Sequence, residues 1–215
     1  MNISLQNKQF WMSNALIIVS LCAALWFPTD NALQALASGV VFLVVLPLLF
    51  IKLFLKKTFA SFGFSWGNIR QGSVWLIVLL VAIALCLVGI VQFTTMLNQF
   101  IVPVSIRSSF SMFLLYIMIT GVYIMMFEFF FRGFVFFVWE KVIGIKIALC
   151  VQTILFIVFL TVGVRGNVDI FLIVIGAMSL LSGFLVFRSR SIAYSFLFSY
   201  ISAILGIGSV ILFVK

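Results

Sequence analysis

Seven apolar runs follow one another through the chain, each close to the ~20 residues that carry an α-helix across a hydrocarbon core, and only short polar joints separate them. They run Phe10–Phe27, Leu33–Leu55, Ser73–Val91, Phe110–Val138, Ile145–Val162, Val168–Phe187 and Ser191–Val214. With 66% hydrophobic and 8% charged residues there is too little polar surface for a water-soluble domain. The expectation is an all-α polytopic membrane protein, a bundle of about seven transmembrane helices forming one domain over residues 1–215. Pro28 and Asp30 stand where one helix breaks and the next is capped, and Pro47 predicts a kink in the second run. The first run lacks a small-x-small cleavage pattern at Ala24-Leu25-Trp26 and reads as an uncleaved span. Residues 58–72, Gly-rich and aromatic, read as a loop lying on the membrane surface.

The net charge of +9 does not point to nucleic acid, because the cations sit at the ends of apolar runs and leave no basic stripe over. An N-terminus inside the cell puts Lys8, Lys52, Lys56, Lys57, Arg70, Lys141, Lys146, Arg188 and Arg190 on the cytoplasmic side, against Arg107, Arg165 and Lys215 outside. That imbalance follows the positive-inside bias and gives an N-in topology. Cys22, Cys86 and Cys150 fall inside apolar runs with no pair at metal-ligand spacing, and read as small buried hydrophobes. Histidine is absent from the sequence, which removes the commonest metal ligand and the commonest side chain for proton transfer near neutral pH. No cofactor is expected.

Within the fourth run, Glu128 and Arg132 lie four residues apart in otherwise apolar sequence. A charge at membrane depth survives when it is paired, faces the bundle interior or lines a wet cavity. On an α-helix the two positions share a face, with Glu N-terminal to its cation in the better orientation. At ~1.5 Å per residue, Glu128 lies about 15 Å, and Ser199 about 12 Å, from the cytoplasmic ends of their helices, so the two can face each other at one depth. Ser191, Ser195, Ser199 and Ala203 make a stripe of small residues on the last helix, and Ser179 with Gly183 makes another on the sixth, both suited to close helix approach.

The run Glu128-Phe129-Phe130-Phe131-Arg132-Gly133 resembles the EExxxRG motif of the CPBP family, the CAAX-protease-like or Abi membrane proteins. Glu128, Arg132 and Gly133 match, and Phe127 stands at the first glutamate. The family's FxxxH frame falls on Phe156 to Leu160, with Leu160 in place of histidine. The tail from Phe171 through Gly176, Ser182-Gly183 and Arg188 to Ser191-Ile192 resembles the segment leading into HxxxN, where Ser199 stands for histidine and Ala203 for asparagine. The similarity covers about residues 58–205.

This resemblance implies an intramembrane endopeptidase scaffold in a bacterial plasma membrane, in which motif glutamate and histidines activate a water together with a divalent metal. It also implies relatives that act in bacteriocin self-immunity or as non-catalytic regulators. Here only Glu128 remains of the polar catalytic set, while hydrolysis by a metal needs about three protein ligands and an open position. A serine nucleophile at Ser199 would have only Glu128 as its base. The resulting expectation is a non-catalytic scaffold whose partners are membrane lipid and either another membrane protein or a secreted peptide. An active endopeptidase is the alternative. A transporter or channel is the third possibility, poorly served by one buried ion pair.

Overall fold

The computed structural model describes residues 3–93, 109–163 and 169–213. Within them the chain forms seven helices and no strand. Helix α1 is Ile3–Trp26, α2 runs Ala32–Leu53, and α3 is Ile69–Phe93. Helix α4 runs Phe110–Ile143, α5 is Ile145–Gly163, α6 is Asp169–Ser189, and α7 is Ile192–Phe213. Six are long and apolar enough to cross a membrane, and the described apolar part of α6, Val174–Ser189, is shorter. The chain is thus an all-α polytopic membrane protein. The connection Gln92–Ser109, with Pro103 and Arg107, lies largely outside the described residues, as do Arg165 and Lys215.

Several helix ends differ from the sequence expectation. Helix α3 starts four residues early, because the Asn68 side chain accepts a hydrogen bond from the Gln71 amide at 3.1 Å and caps its first turn. Asn31 caps α2 in the same way, through the Gln34 amide at 2.9 Å. Helix α4 continues five residues past Val138 and stops at Gly144, whose positive φ of 82° ends the helix. Pro47 produces a change of winding: residues Val41–Val45 form a π-helical turn, and the Leu46 amide reaches back to the Val41 carbonyl. A proline removes one helical donor and crowds the carbonyl four residues before it, and a wider turn relieves that crowding.

Loop 54–68 is exposed along most of its length, and it also sends a side chain into the bundle. Trp66 is 69% exposed, but Phe62, on the short 3₁₀ turn Phe59–Phe62, is 1% exposed and stacks on Phe134 with ring centroids 6.0 Å apart. The loop plugs the end of the bundle. It also serves two helix ends, which leave backbone groups without intrahelical partners. The Asn68 amide donates to the Ser189 carbonyl at 2.7 Å, closing the end of α6. The Ile192 amide donates to the Gly63 carbonyl at 3.1 Å, tying down the start of α7.

These contacts gather the cationic helix ends on one side. Glu140 near the end of α4 pairs with Arg190 between α6 and α7 at 2.5 Å, Lys141 lies 5.4 Å from the Phe62 ring, and Trp139 donates to Asn14 of α1 at 2.6 Å. Consecutive helices therefore alternate in direction about this end, with the second half of α4 packed against α2, α5, α6 and α7.

Gly67 is where the loop comes closest to the bundle: its φ is +54°, and a Cβ there would collide with the Ser189 carbonyl oxygen. Gly89 in α3 has no described atom within 4 Å of that position. Gly67→Ala should lower the thermal midpoint in detergent by several degrees, while Gly89→Ala should hold or raise it, by about 1 kcal/mol of helix propensity. Equal responses of the two variants would show that the loop is not clamped at Ser189.

Candidate functional site

The segment Glu128–Val135 of α4, EFFFRGFV, is buried on every side: all eight residues are inaccessible. A helix surrounded by lipid exposes at least one face, as α4 does earlier with Met118 at 62% and Met125 at 56%. In the Glu128–Val135 segment the helix widens to π-helical winding, with the Phe136 amide bonded to the Phe131 carbonyl. Such π-helical turns recur at functional sites, where they redirect side chains. Gly133 lets the plug approach, since a Cβ there would lie 3.3 Å from the Phe62 carbonyl oxygen. Phe131 lies 4.9 Å from Phe156 of α5, centroid to centroid, and Phe129 lies 5.0 Å from Phe64 of the loop. Between membrane helices the hydrophobic effect contributes little, so these aromatic contacts act through dispersion, at about 0.5–1.5 kcal/mol per pair.

Glu128 and Arg132 are 3% and 2% exposed, with Arg132 Nη1 and Glu128 Oε1 3.6 Å apart. That separation is an ion pair without a hydrogen bond. The hydrogen bond to Glu128 comes instead from Ser199 of α7, whose Oγ donates to Oε1 at 2.7 Å. Behind it, Ser182 of α6 and Ser199 share a hydroxyl contact of 2.7 Å. Three helices therefore contribute to the carboxylate's surroundings, and Arg132 turns its guanidinium over the Phe156 ring at 4.5 Å. Cation–π attraction replaces part of the solvation the guanidinium loses in a dry site. Glu128 Oε2 and Arg132 Nε are buried and have no hydrogen-bond partner among the described residues.

The other positions that the sequence singles out are placed in different ways. Phe127 packs on Phe156 and Phe159 at 5.7 and 5.9 Å, and Leu160 is half-buried against the same aromatic cluster. Ala203, half-buried, sits one turn beyond Ser199 on α7. Ser191 and Ser195 are fully buried, as the small-residue stripe of the last helix requires. The pair on the sixth helix faces α5, because a Cβ on Gly183 would lie 2.8 Å from Leu149 and 2.9 Å from the Gln152 amide nitrogen.

Sequence reasoning missed a second polar group at that contact. Gln152 donates to Thr153 at 2.9 Å, and Ser179 donates to the same Thr153 hydroxyl at 3.4 Å. All three are at most 4% exposed. The signal was available in an adjacent Gln and Thr inside an apolar run, where polar side chains serve as interhelical hydrogen-bonding groups.

As a metal site the residues do not fit. Glu128 is the one carboxylate in this cluster, and among the described residues no group of three His, Cys, Asp or Glu side chains could hold an ion. As a nucleophile site the group supplies one carboxylate, one hydroxyl and a second hydroxyl behind it, with a cation beside the carboxylate. Compared with protein-family models, with curated proteins and with solved structures, the chain matches none.

A double-mutant cycle tests the pairing. Glu128→Met or Arg132→Met alone leaves an uncompensated buried charge and should cost about 3–5 kcal/mol, whereas the two replacements together should come close to wild type. Additive losses in thermal stability would reject the pair. Ser199→Ala should cost less, about 0.6–2 kcal/mol, the range found for hydrogen bonds between membrane helices.

Proposed function

We propose that this chain is a non-catalytic scaffold of the CAAX-protease-like (CPBP) type in a bacterial plasma membrane, N-terminus inside, and that it acts by binding. Its partner is a secreted peptide, against which it protects its host, or another membrane protein that it regulates. The observation that carries this reading is the composition of the Glu128 site: the one motif carboxylate is held by Ser199 and neighboured by Arg132, and the positions where the family motifs place further acid and histidines hold Phe127, Leu160 and Ser199. An activated nucleophile needs a base free to take its proton, and a base needs a group to orient it. Glu128 lies 3.6 Å from the Arg132 guanidinium, and its second carboxylate oxygen has no hydrogen-bond partner to orient it among the described residues. The cations gathered at one end support the inward placing of that end.

The hydrogen bond from Ser199 to Glu128 gives a second reading a specific footing: an endopeptidase with Ser199 as nucleophile and Glu128 as base. The two readings separate on one comparison. Glu128→Met with Arg132→Met, expressed to wild-type level, should retain protection against the peptide or co-purification of the partner, because a binding scaffold fails only as far as its stability or contact surface fails. Loss of a unit of catalytic residues lowers turnover by many orders of magnitude. A stable, folded, wholly inactive double variant would return Glu128 to a catalytic role.

A further inference from the structure

We infer that the basic end of the bundle holds an anionic phospholipid, with its phosphodiester headgroup at the start of α3 and its acyl chain along the outer face of that helix. An open pocket lies there, lined by Asn68, Arg70, Gln71, Val74 and Trp75. Its lining changes character along the helix axis. Arg70 and Gln71 are exposed polar groups on the first turn, and one turn on, Val74 and Trp75 form an apolar wall. Ile77, Val78 and Val81 continue that wall, each about half exposed or more, at 62%, 49% and 54%. The spacing of 70, 71, 74, 77, 78 and 81 keeps these residues on one helical stripe. A cationic head above an apolar strip is the complement of an amphiphile carrying a negative head and a hydrocarbon tail.

Charge complementarity gives the sign of the head. Glu140 is the acid at this end among the described residues, and both of its oxygens are taken by the Arg190 guanidinium at 2.5 and 2.7 Å. Among the described residues Arg70 and Arg188 have no carboxylate within 4 Å. The Arg188 guanidinium lies over Trp75, a residue of the pocket wall, at 5.4 Å, and over Phe184 at 6.0 Å, so a second cation is anchored beside the pocket by aromatic faces. Exposed Trp66 and Phe64 of the loop stand at the same end, where aromatic rings favour the headgroup boundary. Free phosphate would use only the cations and leave the apolar strip unexplained. An acidic peptide would also leave it unexplained, so the strip favours the lipid.

The full chain in neutral detergent, offered dioleoyl phosphatidylglycerol or dioleoyl phosphatidylcholine in mixed micelles and read by native mass spectrometry, tests this. The anionic lipid should be retained about 10-fold better at low salt, with the preference shrinking as salt is raised. Arg70→Gln should lower its retention about 5-fold, near the contribution of one surface cation, and Arg70→Lys should restore most of it. Lys146→Gln, on α5 and away from the pocket, should change it less than about 2-fold. Equal retention of the two lipids would overturn the inference, as would equal losses from Arg70→Gln and Lys146→Gln, the mark of a diffuse field with no site. Displacement of the lipid by millimolar inorganic phosphate, or by a polyglutamate peptide at equal charge, would also overturn it, by showing that the apolar strip adds nothing.

Discussion

A carboxylate and a guanidinium at membrane depth must be paired and shielded from lipid, and much of this bundle is arranged to shield them with protein. Glu128 and Arg132 sit on a helical segment whose eight residues are all buried. Helices α2, α5, α6 and α7 surround it, and the loop after α2 closes its end with Phe62. Gly133 admits the loop backbone, and Ser199 and Ser182 bring two further helices to the carboxylate by hydroxyl contacts. Each charge exerts its influence through dense local packing, since lipid offers neither water nor counter-ions.

The same loop links the interior to the basic end. By accepting and donating at the ends of α6 and α7 it satisfies backbone groups that would otherwise lie near the headgroup boundary without partners. Its left-handed glycines, Gly63 and Gly67, let its backbone approach those helix ends, and its exposed Trp66 faces outward. A change in the loop therefore reaches two regions, the Phe62 plug beneath the ion pair and the cationic surface above it.

Much of this architecture was legible in the sequence. Apolar runs of spanning length gave the described helices, but two starts were misplaced: Asn31, not Asp30, caps α2, and Asn68 starts α3 four residues before Ser73. Glu128 and Ser199 were placed at one depth by helical rise alone, and the structure joins them at 2.7 Å. Winding was not legible. The π-helical stretches at Val41–Val45 and Glu128–Val135 depend on what packs around them, and hydrophobic periodicity marks a helix without telling how wide its turns are. The burial of Phe62 was equally hidden, because a short aromatic loop looks the same in sequence whether its rings meet lipid or the bundle core. Gln152 and Thr153 stand out in the sequence as polar residues in an apolar run, but their partner Ser179, 26 residues from Thr153, is not encoded by a local pattern.

The central claim is that protein, and not lipid, surrounds the charged half of α4. Photolabelling from a diazirine carried on a lipid acyl chain, followed by peptide mapping, measures that contact directly. Met118 and Met125, at 62% and 56% exposure, should label strongly, while Phe129, Phe130, Phe131 and Phe134, at 2% or less, should stay unlabelled in the folded protein and react only after denaturation. Labelling of the four phenylalanines to the same extent as Met118 in the folded state would contradict the account, since it would place the Glu128–Arg132 segment against lipid.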